Sequence, residues 1–478
     1  MNKKIKTAVC AIPTAQKLRE ALAEGANAEI RTQLEMLFDE NTFVETEAYT
    51  TRGFSDFIAT EKSSELEGVI TGYGAIDGKL AFVFAEDSSR MGGAIDERHS
   101  KKIADVYNLA IKNGAPVIGI FNSNGTDIFS GSSSLAAYGK IMACVSEASG
   151  VIPQVALIFG KCIGLSAAIA AMFDFAVKLD SAMLYVSSPN LTDAQDCQDS
   201  IIAYKGDLNQ CICYTRSIIS FLPSNADVGV IVSSCSDNLN KLLGDVDFGG
   251  DALSVISAIS DNAVHYDVSV DFAPSVMTSF ATVAGVRCGI IANSYANNKG
   301  KLDVNAARKI SRFVNFCDSF SIPIVTLVDS EGLVIDKDND ERFFASELAK
   351  LTTAYACFDA PMVTVIIGHA IGASFVLLGS KALGADMVYA VDNSEICALN
   401  AESGVAFAWD KYISLDNSRD ALIDEWKSTI ASPARAAASG EIDDIIGMSE
   451  LRIRICSALL MLSEKGQNSL FGRKVLPL

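Results

Sequence analysis

The sequence predicts an α/β protein built as two copies of one domain, on three observations. The chain repeats itself at an offset of 207 or 208 positions: Gly93 falls on Gly300, Lys102 on Lys309, Ile103 on Ile310 and Pro116 on Pro323, then Pro153 on Pro361, Gly160 on Gly368, Gly164 on Gly372 and Ala167 on Phe375. In each copy an apolar run breaks at glycines and restarts as an apolar helix, which leaves backbone N–H groups facing whatever lies above the break. The 478 residues exceed one ordinary core, and 49% hydrophobic with 20% charged residues is a globular composition. We place a first domain at 1–250 and a second at 251–478, with the junction between about 236 and 275.

Residues 13–40 carry Leu18, Leu22, Ile30, Leu34 and Leu37 among charges, which predicts a helical arm broken near Gly25. From Gly68 to Phe84 the alternation turns β-like around Asp77-Gly78, a strong hairpin signal. A helix over 97–113 follows, with Ile103, Val106, Leu109 and Ala110 on one face, then a strand Val117–Phe121, a polar loop Asn122–Asp127, a helix over 133–146 and the strand Val155–Phe159. Residues 191–250 are weakly patterned, with the polar run Thr192–Asp199 at their start. The second copy repeats the order: strand Val286–Ile291, helix 304–320, strand Ile322–Val328, helix 341–358, strand Met362–Ile367 and strand Ala385–Val391. The tail over 416–460 reads as helical, with Leu422, Ile423, Trp426 and Ile430 on one face, and Gly472–Leu478 shows no period.

Asp and Glu number 58 against 39 Lys and Arg, a net charge of −19, so the surface on average repels nucleic acid and anionic membrane. Twelve cysteines lie scattered, mostly in apolar runs, with no CxxC pair; this predicts a reducing, cytoplasmic setting and cysteine used as a small core residue. Cys211 and Cys213 alone do not make a zinc site. Met1–Lys6 is basic but leads into no signal-peptide apolar core. Met362–Gly379 is apolar at the length of a membrane span, but Gly368, His369 and Gly372 interrupt it, which favours a buried strand and helix.

His99, His265 and His369 lie far apart, and no Ser-His-Asp spacing, metal cluster, P-loop or dinucleotide fingerprint occurs. His369 reads as a satisfied buried side chain. Backbone donors at two turns can stabilise two enolate-like oxygens without a catalytic side chain, each donor contributing on the order of 3 kcal/mol. Equally, the glycines permit close strand-helix packing, and duplication copies packing as well as function.

Gly68-Val69-Ile70-Thr71-Gly72-Tyr73-Gly74, Phe82-Val83-Phe84 with Asp87, Gly92-Gly93, Lys101-Lys102-Ile103, Gly114-Ala115-Pro116-Val117-Ile118-Gly119 and Ser149–Gln154 resemble the biotin-dependent acyl-CoA carboxyltransferases. Leu302-Asp303, Arg312-Phe313-Val314 with Phe316-Cys317-Asp318, Ile322-Pro323 and Val328-Asp329 do so in the second half. The resemblance runs from about residue 30 to the Pro-Leu end and is to the carboxyltransferase subunits of propionyl-CoA carboxylase, methylmalonyl-CoA decarboxylase and glutaconyl-CoA decarboxylase. It implies a tandem pair of crotonase-like (ClpP/crotonase) ββα-superhelix domains, acyl-CoA held mainly by the first and biotin by the second, with active sites where unlike domains of two subunits face each other. The amides of Gly164 and Leu165 would hold the thioester enolate oxygen, and those of Ala373 and Ser374 the biotin ureido oxygen. Gly125, Lys101 and Lys102 would belong to the CoA site and Gly372 to the biotin side, with Val376 lining the wall beside the acyl group. Biotin itself would supply the base. No biotinylation sequence of Ala-Met-Lys-Met type occurs, so biotin arrives on a biotin carboxyl carrier protein, with biotin carboxylase or a membrane decarboxylase subunit as further partners. A homo-oligomer, dimer or higher and a hexamer by resemblance, is implied.

The chain departs from the family pattern at five places. Asp127 stands where a cation is usual, Leu165 and Ala373 where second glycines are usual, Ile371 for a tyrosine and Glu331 for a proline. Leu165 fits only if its φ is negative. Three readings follow: carboxyl transfer between biotin and a short acyl-CoA in either direction, a non-catalytic subunit assembling with an active paralogue, and a biotin-independent hydratase or hydrolase. An aliphatic Val376 beside the acyl group would favour short apolar chains, acetyl to butyryl, over glutaconyl.

Overall fold

A computed structural model of the chain describes residues 15–24, 29–51, 66–127, 130–187, 200–235, 237–244, 248–341, 343–413 and 418–465. The expectations for Met1–Lys6, Thr192–Asp199 and Gly472–Leu478 fall outside the described residues. Two units divide the chain, Met1–Asn225 and Ala226–Leu478. The division comes earlier than 250 because 226–250 are tied into the second unit: Ser233 N–H donates to Gly285 O, Arg287 N–H to Ile231 O and Leu243 N–H to Ser449 O.

The first unit opens with the arm, α1 (Ala15–Glu24) and α2 (Glu29–Leu37), followed by β1 (Val44–Thr46), β2 (Val69–Ile76) and β3 (Lys79–Glu86). Asp77 and Gly78 both take positive φ, 48° and 79°, the two-residue turn that matches strand twist. Then come α3 (Glu97–Asn113), β4 (Val117–Phe121), α4 (Ser132–Ala148), β5 (Gln154–Ile158), β6 (Lys161–Ile163), α5 (Leu165–Met172), β7 (Phe175–Leu179), β8 (Met183–Tyr185), β9 (Ile202–Gly206) and α6 (Leu208–Phe221). The sheet order is β1-β2-β3-β4-β5-β7-β9, and β6 and β8 pair apart from it. Helix α3 spans the predicted residues: Asp96 accepts the N–H groups of Arg98 and His99 at its start, and Gly114 ends it at φ 59°. Phe84, Phe121 and Phe173 meet edge to face at the centre of this unit's core.

The second unit runs α7 (Ala252–Ile259), β10 (His265–Val268), β11 (Val276–Val283), β12 (Val286–Asn293), α8 (Val304–Ser319), β13 (Ile324–Ser330), α9 (Lys337–Glu341), α10 (Phe344–Ala356), β14 (Met362–Ile371), α11 (Ala373–Leu377), β15 (Met387–Val391), β16 (Glu395–Cys397), α12 (Ala401–Gly404), α13 (Arg419–Thr429), α14 (Pro433–Ala438), β17 (Asp444–Ile446) and α15 (Leu451–Leu462). Its sheet is β10-β11-β12-β13-β14-β15-β17, with β16 beside β14. Two expectations change. The helix over 341–358 is interrupted at Phe343, whose φ is 64°, and the helical tail is three helices and a strand, because Pro433 starts a new helix after Ser432. The run Met362–Gly379 is a strand and a short helix, and among the described residues no helix is long and apolar enough to cross a membrane.

The repeat extends to buried contacts. Lys102 on α3 is 3% exposed and donates to Val69 O at 2.6 Å; its equivalent Lys309 on α8 donates to Val276 O at 2.7 Å and also to Ser269 O and Phe272 O. Burial lowers the first amine to about 8 and the second to about 7. Lys309→Met removes three hydrogen bonds and strands the carbonyls of Phe272 and Val276, since Ser269 O keeps the Phe272 N–H, where Lys102→Met strands one, at about 1–3 kcal/mol for a buried unsatisfied group. Chemical denaturation should therefore show Lys309→Met as clearly the more damaging of the two; equal losses would mean the carbonyls find water.

Candidate active site

Both glycine breaks are present, and the four glycines have two separate jobs. Gly160 and Gly368 make room: a Cβ at Gly160 would sit 2.0 Å from Asn122 Oδ1, and one at Gly368 2.3 Å from Asp329 Oδ1. Those two side chains, from the ends of β4 and β13, accept the next residue's N–H, Lys161 at 3.3 Å and His369 at 2.8 Å. Gly164 and Gly372 instead supply torsions, φ 67° with ψ −124° and φ 60° with ψ −131°, that essentially only glycine adopts. Each then caps a helix, α5 or α11.

The donors left free differ from those expected. Gly164 N–H already donates to Tyr185 O at 2.8 Å, and Gly372 N–H to Cys397 O at 2.8 Å. Leu165 is 43% exposed, whereas Ser166 and Ser374 are wholly buried and Ala373 is half-buried. Each break thus presents the N–H of its first helical residue, Leu165 or Ala373, where a helix has no internal acceptor. Leu165 sits inside α5 and is not among the positive-φ residues, so the missing second glycine leaves the turn intact.

The expected CoA cations divide. Lys101 is exposed on α3, but Lys102 points inward and is occupied by Val69 O. Gly125 is buried at φ 103°; its N–H donates to Ser123 Oγ and its carbonyl accepts from Ile95, so neither polar atom is spare. The next residue, Thr126, is half-buried and bridges Ile95. Asp127, the anion in place of a cation, is buried and accepts from Ser130 Oγ at 2.8 Å, so it faces the interior of the loop. Val376 is exposed and lines a concavity of about 420 Å³ with Gly372 and Ile396, but Arg435 and Glu441 line it too. The guanidinium removes the ground for excluding a carboxylate-bearing acyl group from Val376 alone.

His369 is not simply a buried core side chain. Its Nδ1 lies 2.8 Å from Asp329 Oδ1, and its ring stacks on Tyr295 at 4.6 Å. Burial lowers its pKa, but Asp329 and the more distant Glu395 and Glu331 outweigh this and raise it. Glu331, in place of a proline, accepts from Tyr295 Oη and Lys299 Nζ, each at 2.8 Å. Among the described residues no group of His, Cys, Asp and Glu is arranged to hold a metal.

The residue the sequence reading missed is Glu86, at the end of β3. It is wholly buried, which raises its carboxyl to about 7 although His99 and the Asn122 N–H favour its ionised form. A raised folded-state pKa means that between about pH 4.5 and 7 the folded chain keeps a proton the unfolded chain has released, so stability falls with rising pH across that window, by about 3 kcal/mol in total. Glu86→Gln should abolish that slope in urea titrations at a series of pH values; an unchanged slope would exclude Glu86 as its source.

A duplicated fold that offers main-chain donors at two helix starts is able to hold developing oxygen anions by backbone amides. The carboxyl transferase domain matches residues 23–195 and 202–475. The chain belongs to the carboxyl transferase family. It is 35% identical to the alpha subunit of methylmalonyl-CoA decarboxylase of Veillonella parvula, over 92% of this chain and 90% of that one. It is 31% identical to the propionyl-CoA carboxylase beta chain of Saccharopolyspora erythraea, over 91% and 87%. A transcarboxylase 12S, solved as a hexamer with methylmalonyl-coenzyme A and methylmalonic acid bound, superposes with a TM-score of 0.86 at 29% identity, over 97% of this chain and 94% of that one. The tandem crotonase-like fold implied by the sequence is the observed one.

Proposed function

We propose that this carboxyl transferase moves CO2 between biotin carried on a partner and the α-carbon of a short-chain acyl-CoA. The observation that carries the reading is the pair of equivalent helix starts, each offering one accessible main-chain donor after a glycine locked at positive φ. The first, at Gly164 and Leu165, is assigned to the thioester oxygen, and Lys101, the exposed one of the two α3 lysines, to CoA. The second, at Gly372, Ala373 and Ser374 with Val376 on the wall, is assigned to the biotin ureido oxygen. A second donor to each comes, on this reading, from Thr126 and Leu333, half-buried residues whose bridges to Ile95 and Leu302 turn their own N–H groups the other way. Gly125 serves by shaping that loop. Biotin, when bound, carries the carboxyl group and supplies the base; the chain's part is to place two carbonyl oxygens and hold the charge they acquire.

The non-catalytic reading rested on Asp127 and Leu165, and neither blocks the first helix start, since one turns inward and the other is helical. A biotin carboxyl carrier protein is the implied partner, with biotin carboxylase or a membrane decarboxylase subunit beside it, in the cytoplasm; the free cysteines among the described residues fit a reducing compartment. The chain should be at least a dimer, which light scattering at micromolar concentration checks; a monomer there would count against the assembly. The direct test is carboxyl exchange between free biotin and a panel of thioesters from acetyl-CoA to glutaconyl-CoA. Transfer to a short chain is the expected result, and CoA binding without turnover on any thioester would overturn the catalytic reading.

A further inference from the structure

Beneath the first helix start lies a group of buried ionisable side chains that carboxyl transfer as described does not use. Glu86 at the end of β3 and His99 on α3 are 1% and 0% exposed. Neither ring nitrogen of His99 has a hydrogen-bond partner among the described residues; its nearest carboxylate oxygen, Glu67 Oε1, stands at 3.6 Å. Glu86 Oε2 accepts the N–H of Asn122 at 2.8 Å. Asn122 then spreads over the break: its Oδ1 accepts Lys161 N–H at 3.3 Å, its Nδ2 donates to Ser88 Oγ at 2.9 Å, and its side chain fills the space a Cβ on Gly160 would need. Lys161 opens the three-residue strand that leads into Gly164. A continuous contact therefore runs from Glu86 through Asn122 to the first break.

At the equivalent positions the second unit does not repeat this device. The residue equivalent to Glu86 is Asn293, whose Nδ2 donates to Gly300 O, and the residue equivalent to His99 is Ala306. The scaffold is duplicated and the buried charge is not.

We propose that Glu86 is a proton-linked positioning residue of the first helix start: its neutral carboxyl supports the arrangement that holds an oxygen anion at Leu165, and its ionisation weakens that arrangement. The functional half of this proposal rests on the assignment of that helix start to the CoA thioester. Two physical effects act in the same direction and outweigh the Asn122 N–H, which by itself favours the carboxylate. A carboxylate without water is relieved when the break opens and hydrates it, so ionisation favours the open form. A buried negative charge below the break also opposes a second one above it. The titratable groups facing Glu86 are His99 from α3, Tyr138 from α4 and Cys162 from β6. Burial raises both Tyr138 and Cys162, Tyr138 despite its contact with Ser166 Oγ at 3.4 Å, so those two stay neutral while Glu86 titrates at about 7.

Hydrogen exchange on the full-length protein, read on peptides covering 160–172 and corrected for intrinsic rates, tests this without any ligand. Protection in the wild-type chain should fall about tenfold between pH 6 and 8, as expected for a group near 7 that is strongly shifted on opening, and Glu86→Gln should be flat. A flat wild type, or a Glu86→Gln that keeps the wild-type dependence, overturns the proposal. If Glu86→Gln does not fold, His99→Gln decides: without the neighbour that favours the ionised carboxyl, the inflection should move to higher pH, and an unmoved inflection overturns it equally. Propionyl-CoA affinity, measured on the same proteins, should weaken in parallel with protection in wild type and not in Glu86→Gln. Exchange that behaves as expected with no propionyl-CoA binding at any pH would refute the CoA assignment and leave the proton linkage standing; binding with pH-independent exchange would do the reverse.

Discussion

Gly164→Ala should lower carboxyl transfer by about 10²–10³-fold, the cost of losing one preorganised oxyanion donor. Space is not the reason, since no atom lies within 4 Å of the added Cβ. The torsions are: φ 67° with ψ −124° costs an L-residue of order 1–3 kcal/mol, and the chain can relieve this only by rotating the peptide that aims Leu165 N–H. Gly131 is a built-in control. It precedes α4 with nearly the same torsions, φ 60° and ψ −132°, and equally open surroundings, but has no assigned part in transfer. Gly131→Ala should therefore lose similar stability and keep its rate. If Gly164→Ala transfers carboxyl as fast as the wild type, the first helix start is not the thioester site.

Arg452→Met should destabilise the second unit by about 3–5 kcal/mol, because removing one member of a buried ion pair leaves the other uncompensated. Arg452 is wholly buried on α15, with its guanidinium 2.6 Å from Asp261 Oδ1, 3.5 Å from Asp237 Oδ2 and 2.6 Å from the carbonyl of Asn238. Asp261 also accepts the N–H groups of Ala284 and Gly285, the turn of the β11–β12 hairpin, so the unpaired charge would bear on that hairpin as well. Adding Asp261→Asn should restore part of the loss. Thermal unfolding followed by limited proteolysis would locate the damage; a melting curve like that of wild type would mean the carboxylates find other partners.

Much of the scaffold was legible because its signals are local. Helix α3 covers the 97–113 its apolar periodicity indicated, and the Asp77-Gly78 hairpin needed no tertiary information. Its counterpart was missed: β11 turns into β12 at Ala284-Gly285, and alanine at φ 55° is a choice no propensity announces. Phe343 at φ 64° hid a helix boundary in the same way. At the site, the inward direction of Lys102 was available in principle. It lies three residues after His99 and four before Val106, both buried, so all three share one face, and Ala306, Lys309 and Phe313 repeat the spacing. Which amides stay free could not be read, because Tyr185 and Cys397, which occupy the Gly164 and Gly372 N–H groups, come from strands 21 and 25 residues downstream.

The plugging of Gly160 and Gly368 by Asn122 and Asp329 bears on how such a chain can diverge. Wherever a working centre is made of main chain and wedged in place by a side chain from the neighbouring strand, what inheritance must preserve is a pair of torsion angles and one missing Cβ, not a set of reactive groups. Substitutions such as Leu165, Ala373, Ile371 and Glu331 can then accumulate around the centre as neutral drift, and two chains can come to share a chemistry while sharing few of the letters by which that chemistry is usually recognised.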